Sequence, residues 1–176
     1  LLFLNPSRGQ DLGLLGLGAG SVTRFCLKHT SHRLRVVEWN PLVTSACELY
    51  FKLPRPARLK ISHCDAAEWV ADPEQHGSCA VLMVDIYDGQ ARGPVRDSLE
   101  FYQDCRAVLS DVGILTVNLF GEHASFERNI RNLSQAFDGR FQAQGVQILC
   151  NQASHFACQT KTQIVLVGNQ QTSCLA

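Results

Sequence analysis

The chain lacks both an excess of charge and any long hydrophobic run, and these absences restrict its partners. Sixteen Lys and Arg residues balance sixteen Asp and Glu residues in a chain of 176 residues. A neutral chain has no broad field that would gather nucleic acid or an anionic membrane surface, so we expect neither as a partner. No apolar segment approaches the roughly 20 residues of a membrane helix. The opening run 1–4 is also too short for a signal-peptide core.

Several catalytic and metal-binding motifs are also missing. There is no G-x-S-x-G nucleophile elbow and no phosphate-binding loop with its lysine. No two cysteines have C-x-x-C spacing, and the six histidines show no metal-ligand spacing with cysteine or carboxylate. The sequence therefore predicts no metal site.

Eight cysteines are numerous for this length, but their positions indicate thiols. Five fall inside apolar segments, where a thiol behaves as a small hydrophobic group: Cys26, Cys47, Cys79, Cys105 and Cys150. We interpret them as reduced core residues of a cytoplasmic protein, and a disulfide set is the alternative.

Strand-like and helix-like patterns alternate along the chain, which is typical of an α/β fold. Short apolar or alternating runs at 12–17, 34–38, 59–63, 80–84 and 113–117 predict five strands. Residues between them recur at helical spacing, so the strands should be parallel, with helices on both faces of the sheet. The length fits one domain, residues 1–176.

Two further strand patterns lie near the C-terminus, at 146–150 and 162–167. No helical pattern separates them, and strands without a crossover helix pair antiparallel. The predicted sheet therefore has seven strands and closes with an antiparallel C-terminal pair.

Three helix starts can also be read from the sequence. Asn40 followed by Pro41 is typical of a capped helix start. Asp65 with Glu68, and Asp97 with Glu100, have the spacing of capping boxes.

The turn after the first strand reads Gly16-Leu17-Gly18-Ala19-Gly20. In a doubly wound sheet, ligands bind outside the carboxyl ends of the strands. Gly16, Gly18 and Gly20 would let the backbone turn sharply and approach a ligand, although strand–helix packing alone can require such glycines. Glu38 ends the second strand, where an acidic side chain can accept both ribose hydroxyls of a nucleoside. The alternative for Glu38 is a solvated strand end.

The next two strands also end in carboxylates. Asp65 could accept the exocyclic amine of an adenine while the Ala66 N–H faces a ring nitrogen, and a purely capping role is the alternative. Asp85 and Asp88 flank Tyr87 after the fourth strand. A carboxylate there could hold an amine and then take its proton, whereas the simpler reading is an Asp turn before glycine.

The charges distinguish between nucleoside classes. A dinucleotide-binding turn would have glycine where Ser21 stands. A pyrophosphate gains nothing from nearby carboxylates, whereas a sulfonium or ammonium group does, so an adenosyl-sulfonium compound is favoured. Trp39 is most simply a packing residue, but it follows Glu38 and could border an adenine.

These motifs together resemble the spermidine synthases, and more closely the bacterial spermidine synthase-like proteins. The matching segments are LLGLGAGS at 14–21, VVE at 36–38 with the following Asn-Pro, Asp65, VDIYDG at 84–89, FY at 101–102 and GILTVNL at 113–119. They extend over nearly the whole chain. The first three are shared with all class I methyltransferases, and only the Asp-x-x-Asp-Gly segment points to aminopropyl transfer.

The resemblance implies a Rossmann-like class I methyltransferase fold and transfer of an aminopropyl group from decarboxylated S-adenosylmethionine to a polyamine. Putrescine would become spermidine, with methylthioadenosine as the second product. Glu38 would bind the ribose, and Asp65 with Ala66 the adenine. Asp85 would deprotonate the attacking amine, and Asp88, beside Tyr87, would help to hold the polyamine.

The chain also departs from the family pattern. Ala19 stands where spermidine synthases carry an Asp that recognises the amine of the aminopropyl group, Gly89 replaces a proline, and Ile86-Tyr87 replace two small residues. Ala19 keeps open a methyltransferase that uses intact S-adenosylmethionine, and a third hypothesis is a non-catalytic fold relative.

The family's N-terminal β-domain, which supplies glutamine and tyrosine residues to the site, has no counterpart in this chain. The chain also starts without methionine, so we expect an upstream segment. Related enzymes are commonly dimers, which makes a homodimer compatible with the resemblance.

Overall fold

A computed structural model describes residues 10–88, 94–119, 123–139, 141–145 and 163–168. Strands and helices alternate through most of this region. In chain order they are β1 Asp11–Leu15, α1 Ser21–His29, β2 Leu34–Val37, α2 Pro41–Phe51, β3 Leu59–Ser62, α3 Ala66–Ala71, β4 Cys79–Val84, α4 Leu99–Val108, β5 Leu109–Leu119, α5 His123–Ala136, β6 Phe141–Gly145 and β7 Gln163–Gly168. A short 3₁₀ turn, Pro73–Gln75, precedes β4.

The first five strands form a parallel sheet in the order β3-β2-β1-β4-β5. This confirms the predicted α/β, Rossmann-like arrangement. The chain runs outward from β1 to β3 and then returns to place β4 on the other side of β1. The order therefore reverses between β1 and β4, where sheets of this kind bind their ligands.

Two further strands lie beyond β5. Strand β7 pairs antiparallel with β5, and β6 pairs antiparallel with β7 at the edge of the sheet. Strand β6 occupies Phe141–Gly145. The predicted strand at 146–150 lies outside the described residues. Strand β5 is longer than its predicted core of 113–117 at both ends.

Helices pack on both faces of the sheet and bury two apolar layers. One layer joins α3, α4 and α5 to the sheet through large side chains that include Trp69, Tyr102 and Phe137. The other lies beneath α1 and α2 and contains Cys26 and Cys47. Burial on both faces explains why the central strands read as continuous apolar runs.

Two of the three predicted helix starts are correct. The Asn40 side chain accepts a hydrogen bond from the Leu42 N–H at 3.0 Å, and Asp65 accepts one from the Ala67 N–H at 2.7 Å. The predicted cap at Asp97 is wrong, because Ser98 caps α4 by accepting from the Phe101 N–H at 3.1 Å. Asp97 instead forms an ion pair with Arg128 on α5.

The cysteines of the described region are thiols. Cys26, Cys47, Cys79 and Cys105 are free and buried, in agreement with their assignment to the core, and Cys64 is free and half-buried. Burial raises the pKa of the Cys79 thiol to about 11. Cys150 lies outside the described residues. Within those residues, no helix is long and apolar enough to cross a membrane.

Candidate functional site

The glycine turn leaves β1 at the point where the strand order reverses. Gly16 has φ +95°, and a Cβ added there would lie 2.2 Å from the backbone oxygen of Asp85. Gly18 has φ +52°, and no described atom lies within 4 Å of the position of its missing Cβ. Gly20 precedes α1 with φ +72°. The first glycine therefore permits close packing of the turn on the end of β4, whereas the second leaves open space for a ligand.

Glu38 is held against the glycine turn from the end of β2. One carboxylate oxygen, Oε2, accepts the Leu17 N–H at 3.0 Å, and the other, Oε1, accepts the Asn40 N–H at 2.9 Å. An ionised carboxylate has about four lone-pair sites. Two therefore remain on this half-buried side chain, which is enough for a pair of hydroxyl groups.

Trp39 is not a packing residue. Its side chain is 75% exposed, although it directly follows Glu38 at the site. The other tryptophan, Trp69, is buried and lies beneath the guanidinium of Arg35, whose Cζ is 6.0 Å from the ring centroid. The exposed indole of Trp39 is therefore free to form one wall of a base-binding site.

Asp65 lies between β3 and α3 and uses each of its oxygens. Oδ1 caps α3 through the Ala67 N–H, and Oδ2 forms an ion pair with the Arg96 guanidinium. The Arg96 hydrogen bond holds the pKa of the Asp65 carboxyl below its ordinary value. Ala66 is buried and is the first residue of α3. Because of that position, its N–H is one of the helix-start donors that have no hydrogen-bond partner within the helix.

Asp85 directly follows β4, and its carboxylate is oriented by the neighbouring strand. Oδ1 accepts a hydrogen bond from the Asn118 side-chain amide at 3.0 Å. The Tyr87 hydroxyl donates to the backbone oxygen of Asn118 at 3.1 Å. The second carboxylate oxygen of Asp85 can thus face a reacting amine while the first is fixed.

Tyr87 and Asp88 continue from Asp85 along the same segment, and both are half-buried. Burial raises the pKa of the Tyr87 phenol, and the negative charge of Asp85 adds to the effect. Tyr87 therefore stays protonated over the physiological range and acts as a hydrogen-bond donor.

The structure brings most of the predicted site residues to one edge of the sheet. The glycine turn contacts Glu38 on one side and Asp85 on the other. The end of β2 is tied to β3 by the Glu38 N–H, which donates to the Ser62 oxygen at 3.0 Å. Asp65 forms an ion pair with Arg96, and the neighbouring Val95 N–H donates to the Ile86 oxygen next to Asp85.

Two residues of the site were missed in the sequence. Asn118 lies near the carboxyl end of β5, so the rule that located the strand-end carboxylates applies to it as well. Arg96 gives no such signal, because it lies in a connection and its partner is 31 residues away.

Among residues 10–88, 94–119 and 123–139, no group of three or more His, Cys, Asp or Glu side chains is arranged to hold a metal ion. The chemistry available at this edge is that of carboxylates, an amide, a phenol and a guanidinium. The carboxylates hold cations and accept protons, whereas the amide N–H, the phenol and the guanidinium donate hydrogen bonds.

No protein-family model matches the chain. Individual proteins do, and several polyamine aminopropyltransferases are similar to it in sequence. The chain is 29% identical to that of Chromobacterium violaceum over 128 residues, which are 72% of this chain and 48% of the relative. It is 29% identical to that of Neisseria meningitidis serogroup A over 141 residues, 79% of this chain and 53% of the relative. It is 32% identical to that of Clostridium acetobutylicum over 118 residues, 64% of this chain and 41% of the relative. The chain thus spans about half the length of these relatives.

Solved structures share the fold at lower identity. Spermidine synthase from Thermotoga maritima superposes with a TM-score of 0.74 at 20% identity, covering 96% of this chain and 55% of that one. A spermidine synthase in complex with the transition-state analogue AdoDATO gives 0.78 at 21%, covering 96% and 57%. Human methyltransferase-like protein 13 in complex with SAH gives 0.76 at 18%, covering 100% and 77%.

The motifs, the parallel sheet with its reversal at the glycine turn, and the relatives agree with one another. In sequence the chain is similar to polyamine aminopropyltransferases, and it shares the fold of spermidine synthases and of class I S-adenosylmethionine-dependent methyltransferases.

Proposed function

We propose that this chain is a transferase that moves the aminopropyl group of decarboxylated S-adenosylmethionine to a polyamine such as putrescine. The observation that carries the proposal is the carboxylate of Asp85, which Asn118 orients, on a residue whose backbone packs against the glycine turn where the strand order reverses. A base beside the nucleoside turn is what attack by an amine on a sulfonium-activated carbon requires.

The residues around the turn fit an adenosyl group. Glu38 retains two lone-pair sites for the ribose hydroxyls, and its carboxylate is already oriented by two backbone N–H groups. The open space over Gly18 accommodates the part of the ligand that passes the turn. Asp65 and Ala66 offer an acceptor and a donor to the edge of an adenine, and exposed Trp39 offers a flat apolar surface.

In the reaction we propose, the amine lone pair attacks the methylene carbon next to the sulfonium sulfur. A C–N bond forms, the C–S bond breaks, and its electron pair returns to sulfur, giving a neutral thioether. Asp85 takes the proton that the amine loses, with Asn118 holding the carboxylate in line. Asp88 and Tyr87 hold the polyamine, the first by charge and the second by its half-buried phenol.

The experiment is a transfer assay with putrescine and decarboxylated S-adenosylmethionine, with spermidine and methylthioadenosine measured together. Asp85→Asn should lower the rate by about two to four orders of magnitude, the range of general base catalysis. Asp72→Asn is the matched control, because that carboxylate caps the 3₁₀ turn after α3, at the opposite edge of the sheet. Full activity of Asp85→Asn would show that the assignment of the base is wrong.

A methyltransferase that uses intact S-adenosylmethionine is the second candidate, and Ala19 is the observation that favours it. The methyl side chain of Ala19 provides no carboxylate for the amine of the aminopropyl donor. Its backbone oxygen is already used by Arg24, at 3.0 Å. A methyltransferase predicts that S-adenosylhomocysteine raises the melting temperature more than methylthioadenosine, and that Ala19→Asp reverses this order. A non-catalytic relative predicts no shift with either compound at millimolar concentration.

A further inference from the structure

Arg96 and Asp65 form an ion pair at the base-binding end of the proposed site. The guanidinium is half-exposed and the carboxylate is mostly buried, with side-chain exposures of 49% and 24%. The two residues are 31 positions apart in the sequence and lie next to different helices. One precedes α4 and the other begins α3, and these helices pack against each other.

The position of Arg96 is determined by its neighbours on both sides. The preceding Val95 N–H donates to the Ile86 oxygen at 3.2 Å, which ties this stretch to the residues that follow β4. Two residues after the arginine, Ser98 caps α4. Because hydrogen bonds hold Val95 and Ser98 on either side of it, placing the Arg96 guanidinium beside Asp65 costs little further backbone conformational entropy.

The ion pair leaves Asp65 able to accept another hydrogen bond. Its carboxylate has about four lone-pair sites. The Ala67 N–H uses one site on Oδ1, and Arg96 uses one on Oδ2. An incoming amine can therefore be accepted without displacing either partner.

The charge of Asp65 determines what kind of base edge it can recognise, and the pair determines where that charge lies. An aspartate is ionised at neutral pH with or without a guanidinium beside it, and an ionised carboxylate only accepts hydrogen bonds. Arg96 adds a second contact that fixes the orientation of this acceptor. A 6-amino purine presents a donor to it. A 6-oxo purine presents a carbonyl oxygen, which an ionised carboxylate repels.

We propose that Arg96 is a positioning residue that holds the carboxylate of Asp65 in a fixed orientation and thereby strengthens the preference of this site for a 6-amino over a 6-oxo purine. The inference rests on the proposed adenosyl site. It adds a role for a residue outside the glycine turn and the strand ends.

The test compares two small nucleosides, methylthioadenosine and methylthioinosine, by isothermal titration calorimetry. The wild-type protein should bind methylthioadenosine more tightly. In Arg96→Gln we expect affinity for methylthioadenosine to fall about tenfold, because a charge-assisted contact no longer fixes its acceptor. The ratio of the two dissociation constants should fall at least threefold. Arg96→Lys loses the planar fork of the guanidinium but keeps the positive charge. Because the charge is kept, the ratio in this variant should lie closer to the wild-type value than the ratio in Arg96→Gln.

Arg55→Gln is the matched control. Arg55 and Glu48 form an ion pair of comparable exposure, 51% and 39%, just after and within the last turn of α2. This control should bind both nucleosides as the wild type does. Melting temperatures of all variants report folding, and the half-exposed position of Arg96 makes a folded Gln variant the expectation.

The failures are distinguishable. If the wild type binds neither nucleoside, the adenosyl site itself is wrong, and this inference is overturned with it. If the wild type binds methylthioadenosine but Arg96→Gln keeps the same ratio, only the role of Arg96 is overturned. Tighter binding of methylthioadenosine by Arg96→Gln would also overturn it, because Arg96 would then compete with the base.

Discussion

The side-chain amide of Asn118 donates a hydrogen bond to the carboxylate of Asp85 at 3.0 Å, linking the carboxyl ends of β5 and β4. The backbone oxygen of Asn118 also accepts from the Tyr87 hydroxyl. One asparagine therefore orients the proposed base and anchors the segment that follows it. Its own side-chain oxygen is buried and has no hydrogen-bond partner among the described residues.

Replacing Asn118 should slow proton transfer more than it weakens binding. In Asn118→Ala, Asp85 loses its orienting donor, so we expect kcat for aminopropyl transfer to fall about tenfold. KM for putrescine should change less than threefold. Steady-state kinetics measure the two separately. Asn132→Ala, which removes an amide bonded to the Asp97 backbone oxygen, is the control and should leave both constants unchanged. A rise in KM alone would mean that Asn118 binds substrate and does not position the base.

Glu38 should matter for stability as well as for binding, because its carboxylate accepts two backbone N–H groups. Glu38→Ala leaves the Leu17 and Asn40 donors unsatisfied, which should cost about 1–3 kcal/mol of unfolding free energy. Urea denaturation measures this loss, and calorimetry with methylthioadenosine should show at least a tenfold weaker affinity. Glu48→Ala on α2 is the control. Unchanged stability with lost binding would mean that the turn does not depend on Glu38.

Gly16 and Gly18, two of the three glycines of the turn, should respond differently to substitution by alanine. Gly16→Ala places a Cβ 2.2 Å from the Asp85 backbone oxygen at φ +95°, so it should destabilise the fold by about 3 kcal/mol or more. Gly18→Ala meets no described atom within 4 Å and carries only the backbone penalty of about 1–2 kcal/mol. Its main effect should be weaker binding of adenosyl compounds. Thermal melts and calorimetry distinguish the two effects, and a stable Gly16→Ala protein would contradict the close packing.

The Asp65–Arg96 pair should leave a signature at acid pH. The Arg96 hydrogen bond lowers the pKa of Asp65 in the folded protein, followed in importance by the Ala67 N–H among the favourable contacts. A lowered folded-state pKa stabilises the protein above the unfolded-state pKa, and this contribution is lost as the pH falls through the folded value. Stability should therefore fall at acid pH more steeply in the wild type than in Asp65→Asn.

The same pair can be titrated directly. Carboxyl-carbon NMR should show the pKa of Asp65 rising toward its ordinary value in Arg96→Gln. The carboxylate of Asp72, which also has a lowered pKa but is bonded to Gln75, should titrate equally in both proteins. An unshifted Asp65 in Arg96→Gln would show that the capping N–H alone sustains the low pKa.

Local pattern was enough to locate the elements and much of the site. Apolar runs mark β1 and β4 because both faces of these strands are buried, and Asn40-Pro41 marks the start of α2 because the signals are adjacent in sequence. Glu38, Asp65 and Asp85 could be selected because each follows a strand whose carboxyl end faces the same edge. The cap of α4 failed by one residue, since Asp97 and Ser98 are both good caps and Asp97 is taken by Arg128.

The partners of those residues were decided by the tertiary structure. Asn118 meets Asp85 from 33 residues away because β5 lies beside β4, and Arg96 meets Asp65 from 31 residues away because α3 packs on α4. Trp39 is exposed although its side chain would suit a core. By itself, the sequence of this protein determines which residues end each strand, because that depends on local periodicity. Which side chains then form hydrogen bonds with each of these carboxylates depends on strand order and helix packing. Only the folded chain brings those residues together.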